Sequence, residues 1–281
     1  MSAPEATWVG RQEVRAERIA AWSVQAMAAT LGLPQAPAAG QPLPPGWHWL
    51  FFNPVVAREG LGPDGHPRRG GFLPPIELPR RMWAGSRLRY LAALPVDSVA
   101  ERTSRIARIE RKVGRRGELC FVTVEHTVRL DGQTCLVEEQ DIVYREADPP
   151  GAAAPAAAPQ RPASAAEWGC SVETDTTMLF RYSALTFNGH RIHYDADYAR
   201  QVEGYPGLVV HGPLTATLLQ QLACEQAGGR ELATFEFRGV SPLICGRAMR
   251  LEGCRTGERA LSLWACGPEG ELAMTASATL R

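Results

Sequence analysis

The sequence predicts an α+β protein made of two similar halves, each with a central helix and a curled antiparallel sheet. Segments in which apolar and polar residues alternate, as in strands with one buried face, fill residues 85–144 and recur near the C-terminus. Between them, alanine and proline replace every large apolar side chain, so this stretch cannot bury enough surface to offset its ordering entropy. We therefore expect an N-terminal half, a linker and a C-terminal half at residues 1–147, 148–166 and 167–281.

The first half opens with a predicted helix over residues 12–31, where apolar side chains recur at roughly helical spacing. Residues 34–79 are rich in proline and glycine and predict long loops with one strand, since the aromatic stretch at 47–52 is too short for a convincing helix. Four alternating segments then predict a meander of antiparallel strands. The last two of these form a hairpin about Asp131-Gly132.

The second half contains the strongest helix prediction, residues 208–227. Pro213 lies near its start, a long apolar face follows, and Gly228-Gly229 mark its end. Four more alternating segments come after this helix, separated by glycine-containing turns. The order of elements therefore repeats the scheme of the first half.

Composition excludes several classes of function. Thirty basic and thirty acidic residues give a formal net charge of zero, so no global field would draw the protein to nucleic acid or to an acidic membrane. The N-terminus lacks the apolar segment of a secretory signal, and no apolar run reaches membrane-spanning length. These features predict a cytoplasmic protein without a membrane partner, in which any anionic ligand meets local charges.

The seven cysteines are scattered, without a C-x-x-C pair or a spacing suited to zinc, which predicts reduced and buried thiols and no metal site. No glycine-rich dinucleotide or phosphate motif stands in the required strand and helix context, so no cofactor is expected.

A dense group of polar residues lies just before the long helix: Asn188, His190, Arg191, His193 and Asp195. His211 follows at the start of the helix. Histidine can both take and return a proton near neutral pH, which makes this loop the best candidate for a catalytic site. The alternative is a polar surface loop with structural histidines.

The residues F-R-Y-S-A-L-T-F-N-G-H-R-I-H-Y-D and G-Y-P-G-L-V-V-H-G-P-L resemble the hydratase motif of the MaoC-like dehydratase family, whose members are (R)-specific enoyl-thioester hydratases and dehydratases. With M-W-A-G-S-R-L-R-Y at 82–90, the resemblance extends over most of the chain. It is strongest to the double hot-dog subgroup, which includes mesaconyl-C4-CoA and itaconyl-CoA hydratases and mitochondrial 3-hydroxyacyl-thioester dehydratases. The resemblance implies a double hot-dog fold with one active site per chain, in the second half.

In the family motif an aspartate, and a histidine five residues later, flank an Asn-Pro pair. His193 matches the histidine, while Asn188 stands where the aspartate is usual. The resemblance implies that His193 is the main base for water, that Asn188 orients this water, and that Asp195 or His190 is the second proton carrier. Backbone N–H groups at the helix start would polarise the thioester carbonyl, with Gly212 permitting close approach.

Replacement of the usual aspartate and Asn-Pro pair by asparagine and His-Arg removes a negative charge and adds a positive one. This change favours a substrate whose acyl chain carries a carboxylate, a group that arginine binds in a bidentate geometry. Arg191 is the first candidate, and substitution by alanine is expected to raise KM more for a dicarboxylic acyl-CoA than for a plain enoyl-CoA. Further candidates for substrate binding are Arg181, His211, Arg238 and Trp83.

The resemblance implies a hydro-lyase that adds water to a 2-enoyl thioester. A branched C5 dicarboxylic acyl-CoA, mesaconyl-C4-CoA or itaconyl-CoA, would give a hydroxyacyl-CoA such as citramalyl-CoA. The alternatives are a 3-hydroxyacyl-thioester dehydratase of fatty acid metabolism, a hot-dog thioesterase and a non-catalytic acyl-CoA-binding module. The basic pairs at 68–69 and 80–81 either contact coenzyme A phosphates or form a solvated face. A sheet edge in each half is compatible with a homodimer.

Overall fold

The computed structural model describes residues 3–114, 117–147 and 160–281. Within these ranges the chain forms ten strands: β1 Gln12–Arg18, β2 Arg80–Tyr90, β3 Val99–Gly114, β4 Gly117–Leu130, β5 Gln133–Arg145, β6 Trp168–Glu173, β7 Leu232–Gly239, β8 Ala248–Gly257, β9 Ala260–Cys266 and β10 Leu272–Leu280. The helices of the described residues are α1 Ala3–Ala6, α2 Ala21–Thr30, α3 Thr176–Leu185, α4 Ala196–Gln201 and α5 Gly212–Glu225. Among these helices, none is long and apolar enough to cross a membrane.

All ten strands join one antiparallel sheet in the order β1-β3-β4-β5-β2-β7-β10-β9-β8-β6. Read from its outer edge, the second half has the order β6-β8-β9-β10-β7, which repeats β1-β3-β4-β5-β2 of the first half. The repeated α+β organisation expected from the alternating segments is therefore confirmed. The hairpin about Asp131-Gly132 is also confirmed, with both residues at positive φ between β4 and β5.

The two halves meet where β2 pairs with β7, with Gly85 opposite Arg238. A Cβ atom added to Gly85 would lie 2.3 Å from the carbonyl oxygen of Phe237, so only glycine fits at this crossing. Behind the sheet, α5 packs on β7, β8, β9 and β10, and Leu214 and Leu219 on this helix are fully buried. Its apolar face is part of one hydrophobic core that both halves share.

Two predicted elements of the first half are wrong. Residues 12–18 form strand β1 rather than the first turns of a helix, because β3 pairs with this segment along its whole length. The helix begins only at Ala21. The one strand predicted within residues 34–79 is absent, and Trp47–Leu50 form a buried 3-10 turn after Gly46, which has a φ of +83°. Burial of these aromatic side chains in the shared core decides their conformation.

Two further features of the second half differ from the prediction. Helix α5 begins at Gly212, and the residues before it run extended, with a bridge between Val209 and Ile244. The seven cysteines are free, but Cys170 and Cys224 are exposed rather than buried. Residues 148–159 of the predicted linker lie outside the described residues, so the three-part division of the chain stays a prediction.

Candidate active site

The polar loop begins where α3 ends. Asp175 caps the start of this helix by accepting a hydrogen bond from the backbone N–H of Met178, 2.7 Å away. After the helix, Asn188 turns the chain: its Oδ1 accepts from the N–H of His190 at 3.0 Å, and its own N–H donates to the carbonyl of Ser183. A 3-10 turn over Arg191–His193 follows, and both His190 and His193 are buried. The loop is therefore folded inward around two histidines.

Four imidazole rings lie next to one another at this loop, and we call them the histidine row: His66, His190, His193 and His211. The ring centroids of His66 and His190 are 4.2 Å apart, and those of His190 and His193 are 5.5 Å apart with perpendicular planes. His193 stacks on His211 at 3.6 Å with an interplanar angle of 19°. His66 belongs to the first half, so both halves build the row.

Hydrogen bonds determine the orientation of two rings. His193 Nδ1 lies 2.7 Å from the carbonyl oxygen of Val209. A carbonyl oxygen only accepts, so Nδ1 carries the proton and Nε2 of the neutral ring has a free lone pair. His211 is fully buried, its Nε2 lies 2.8 Å from Ser183 Oγ, and its Nδ1 has no hydrogen-bond partner among the described residues.

Burial keeps three rings of the row uncharged. Removal from water lowers the pKa of His193 to about 4, although the carbonyl of Val209 opposes this shift. The pKa of His190 falls to about 2 through burial and the neighbouring histidines, and that of His211 lies well below its ordinary value for the same reasons. These three rings are therefore neutral at pH 7, and each can accept a proton but holds it poorly.

A loop of the first half supplies the remaining ring together with a carboxylate. Asp64 accepts two hydrogen bonds from His66, one from its backbone N–H and one from Nδ1, both at 3.0 Å. Partial burial would raise the pKa of the Asp64 carboxyl, but the hydrogen bonds and charge of His66, with the charge of Arg81, hold it well below its usual range. Burial lowers the pKa of His66, and Asp64 opposes that shift.

Two glycines allow this loop to reach the histidine motif. A Cβ atom at Gly65 would lie 1.8 Å from the carbonyl oxygen of Gly189, and one at Gly189 would lie 2.6 Å from the carbonyl oxygen of Gly65. The backbone N–H of Arg191 also donates to the carbonyl of Asp64 at 2.9 Å. The loops thus meet backbone to backbone.

Arg191 and Asp195 bind each other. Asp195 Oδ2 accepts from Arg191 Nη2 at 2.7 Å and from Nε at 3.1 Å, while its Oδ1 caps α4 at the N–H of Tyr198. That backbone hydrogen bond, followed by Arg191, lowers the pKa of the Asp195 carboxyl. Arg191 also donates to the carbonyl of Pro63 and lies over the Tyr198 ring. These contacts connect the motif to α4 and to the first half.

The other predicted residues have different surroundings. Arg181 is exposed on α3, and Arg238 is exposed on β7. Trp83 packs edge-on against Trp49 and donates to Ser86 Oγ at 2.9 Å, so its contacts are those of a core residue. Gly212 begins α5, and a Cβ atom added there would meet no atom within 4 Å. There is therefore free space beside the Cα atom of Gly212.

Asp64 and His66 were not among the site residues expected from the sequence. The only local signal is the turn-forming stretch G-P-D-G-H-P at 62–67, in which Gly65 has a φ of +86°. Among the described residues, Asp64, His66 and His190 are also the group whose potential metal ligand atoms lie within 4.8 Å of one another. Arg80 and Arg81 line a small pocket with Asp64 and His190.

Comparison with known proteins gives a consistent picture. The sequence model of the family described as hydroxyacyl-thioester dehydratase type 2 matches residues 46–245. Mesaconyl-C(4)-CoA hydratase of Chloroflexus aurantiacus is 46% identical over 281 residues, which covers 99% of each chain.

Solved structures resemble the fold. A MaoC-like dehydratase from Phytophthora capsici matches with a TM-score of 0.70 and 12% identity over 100% of this chain and 98% of its own. A Mycobacterium tuberculosis protein described as a double hot-dog matches with a TM-score of 0.59 and 14% identity, over 97% and 96% of the two chains. At such identities the likeness concerns the fold, and it confirms the double hot-dog prediction.

Proposed function

The chain belongs to the type 2 hydroxyacyl-thioester dehydratase family, and from this premise we propose that it is a hydro-lyase adding water to the double bond of a 2-enoyl thioester. One observation carries the proposal: His193 is held by Val209 so that its unprotonated Nε2 remains available, within a site at the start of α5. A neutral imidazole with a free lone pair is the state required of a general base.

The start of α5 suits the other half of the reaction. Negative charge develops on the thioester carbonyl oxygen as the hydroxyl group adds to C3. The first backbone N–H groups of a helix lack partners within it, and the helix dipole is positive at this end. Gly212 is the first residue of the helix and a Cβ atom added there would meet no atom within 4 Å, and we propose that its N–H donates to this oxygen.

The reaction conserves the atoms of water. Its oxygen bonds to C3 as His193 takes one proton, and C2 then receives a proton to give the 3-hydroxyacyl thioester. Dehydration is the reverse reaction. Asn188 Oδ1 already accepts a hydrogen bond from the backbone N–H of His190. We therefore propose that the side-chain NH2 group of Asn188 orients the water.

We propose a branched C5 dicarboxylic acyl-CoA, such as mesaconyl-C4-CoA, as substrate, in line with the named activity of the Chloroflexus relative. The guanidinium of Arg191 already donates hydrogen bonds to Asp195 and to the carbonyl of Pro63. Arg80 forms an ion pair with Glu203. Arg81 lines the pocket beside His190, and we propose that it binds the free carboxylate of the substrate.

The test is a hydration assay with mesaconyl-C4-CoA, itaconyl-CoA and crotonyl-CoA that follows enoyl-thioester absorbance and thiol release separately. His193→Ala should lower kcat by about 100-fold to 10,000-fold, and unchanged turnover would contradict the mechanism. Thiol release by the wild-type protein would indicate a thioesterase. Binding of all three substrates without turnover would indicate an acyl-CoA-binding module.

Two arginine variants separate the explanations for substrate choice. Arg81→Gln should raise KM for mesaconyl-C4-CoA at least tenfold more than for crotonyl-CoA, because it removes one charged hydrogen-bonding partner. Arg191→Ala should affect both substrates alike, since Arg191 holds Asp195 and Pro63. A selective effect of Arg191→Ala would restore the interpretation made from the sequence.

The proposal includes a homodimer in the cytoplasm. Strands β1 and β6 end the sheet of the described residues, and pairing along such an edge is a common route to association. Light scattering of the purified protein would measure the oligomeric state, and a monomer at micromolar concentration would contradict the dimer.

A further inference from the structure

We propose that Asp64 and His66 of the first half complete the active site, with His66 as the second proton carrier and Asp64 as its charge partner. This inference rests on the proposed hydratase function. It assigns the missing carboxylate of the motif to the other half of the chain, and it assigns the second proton carrier to His66 rather than to Asp195.

The geometry favours this assignment over both residues expected from the sequence. Asp195 is bound by Arg191 and by the N–H of Tyr198, so both of its carboxylate oxygens already accept hydrogen bonds. His190 lies within the row between two other rings and contacts no carboxylate in the described hydrogen bonds. Asp64 is the carboxylate that those hydrogen bonds join to the row, through His66 Nδ1.

Charge gives the physical reason. A proton on a buried ring is unfavourable unless a nearby anion offsets it. In the described hydrogen bonds, His66 is the ring of the row that is bonded to a carboxylate, whereas the charge of Asp64 acts on His190 without a hydrogen bond. At His66 the hydrogen bond and the charge of Asp64 favour the protonated ring, against burial and against the charges of Arg81 and Arg69. His190 is the further titratable group that packs against this ring. His66 is therefore where a proton is best held between two steps.

The proton balance is closed. His193 takes a proton as the O–H bond of water breaks and the new C–O bond forms at C3. The proton reaches His66 through His190 or through water in the pocket, and the imidazolium is held beside the Asp64 carboxylate until the second step. C2 of the enolate then takes this same proton from His66 by the same route, which returns the row to its neutral state. One hydrogen of the added water is then on C2, and the other is in the C3 hydroxyl group.

The contacts between the first-half loop and the histidine motif bring polar groups together as well as packing the two loops. A polar loop rich in proline and glycine is brought against the motif by Gly65, Gly189 and the hydrogen bond from Arg191 to Asp64. The result is that a carboxylate–imidazole pair lies at one end of the row. The same three ligand atoms of Asp64, His66 and His190 could serve a divalent metal, and the experiment separates that case.

The main variant is His66→Asn, whose amide can keep the hydrogen bond to Asp64 while the Nε2 position is lost. We expect a loss in kcat of about 100-fold or more with KM changed less than threefold. Asp64→Asn should shift the limb of the kcat–pH profile that reports the protonated carrier to lower pH, because its anionic partner is gone. Asp131→Asn, in the exposed β4–β5 turn, is the matched control and should behave as wild type.

A second measurement keeps folding separate from chemistry. Added imidazole should restore part of the activity of His66→Ala if the ring acts by carrying a proton. The His66→Asn variant should lose activity while its melting temperature stays equal to that of the wild type. Loss of activity without rescue, together with lower melting temperatures of both variants, would reduce His66 to a structural residue and overturn the inference.

Two further outcomes are decisive. If His193→Ala is inactive but His66→Asn retains wild-type kcat, this inference fails while the proposed function stands. If dialysis of the wild type against a chelator abolishes activity and Zn²⁺ restores it, the cluster is a metal site and the inference is overturned.

Discussion

A methyl group at Gly65 provides a direct test of whether the first-half loop belongs to the active site. Gly65 and Gly70 lie in the same loop and have nearly equal φ values, +86° and +87°. Alanine at either position has a strained backbone, at a cost of about 1–2 kcal/mol. At Gly65 the new Cβ would overlap Gly189 of the histidine motif. At Gly70 it would not, because the nearest atom there is Pro75 Cβ at 3.8 Å.

The expected displacement follows from the spacing. The methyl group would lie 1.8 Å from Gly189 O, whereas real Cβ atoms stay at least 3.0 Å from such neighbours, so the loops must separate by about 1 Å. A misplacement of about 1 Å can reduce catalysis by roughly 100-fold. We therefore expect Gly65→Ala to lower kcat/KM for hydration by about that factor, and Gly70→Ala to change it less than threefold.

Hydration of mesaconyl-C4-CoA and urea unfolding of both variants are the measurements. Both should lose at least the free energy of unfolding that the strained backbone costs, while only Gly65→Ala should lose activity. Gly189→Ala creates a smaller overlap from the other loop, since its Cβ would lie 2.6 Å from Gly65 O. Equal activity of all three variants would refute a role of the loop contact in catalysis.

Two further predictions concern stability. Burial lowers the pKa of His193 to about 4, so the unfolded chain binds a proton that the folded chain does not as pH falls from about 6.5 towards 4. This difference should lower the free energy of unfolding by up to about 1.4 kcal/mol for each unit by which the pH falls. In urea unfolding, His193→Gln should show a pH dependence of the free energy of unfolding that is weaker by that amount. An unchanged pH dependence would mean that His193 is charged in the fold. Glu138 is 2% exposed and accepts hydrogen bonds from His48, Trp49 and Ser86. Its replacement by leucine leaves these donors unpaired and should cost about 3–5 kcal/mol in urea unfolding, whereas a loss below 1 kcal/mol would show that the carboxylate is not needed there.

Elements whose signals lie in neighbouring residues could be predicted from the sequence, whereas elements held by distant contacts could not. Strands β3, β4 and β5 have alternating burial that the local pattern records, and α5 has its own proline start and glycine end. Strand β1 has no comparable local signal, because its hydrogen-bond partners lie in β3, some ninety residues later. The 3-10 turn at Trp47–Leu50 depends likewise on the core around it.

The sequence by itself determined the family resemblance, the repeated α+β halves and three of the four histidines of the row, since these follow from motifs and from periodicity along the chain. Only the tertiary structure decided that Arg191 donates to the carbonyl of Pro63 and that Asp64 and His66 lie at the motif. The reason is that pairing of β2 with β7 and the glycine contact between the loops join residues more than a hundred positions apart. Such contacts depend on how the halves dock, which local sequence patterns do not record.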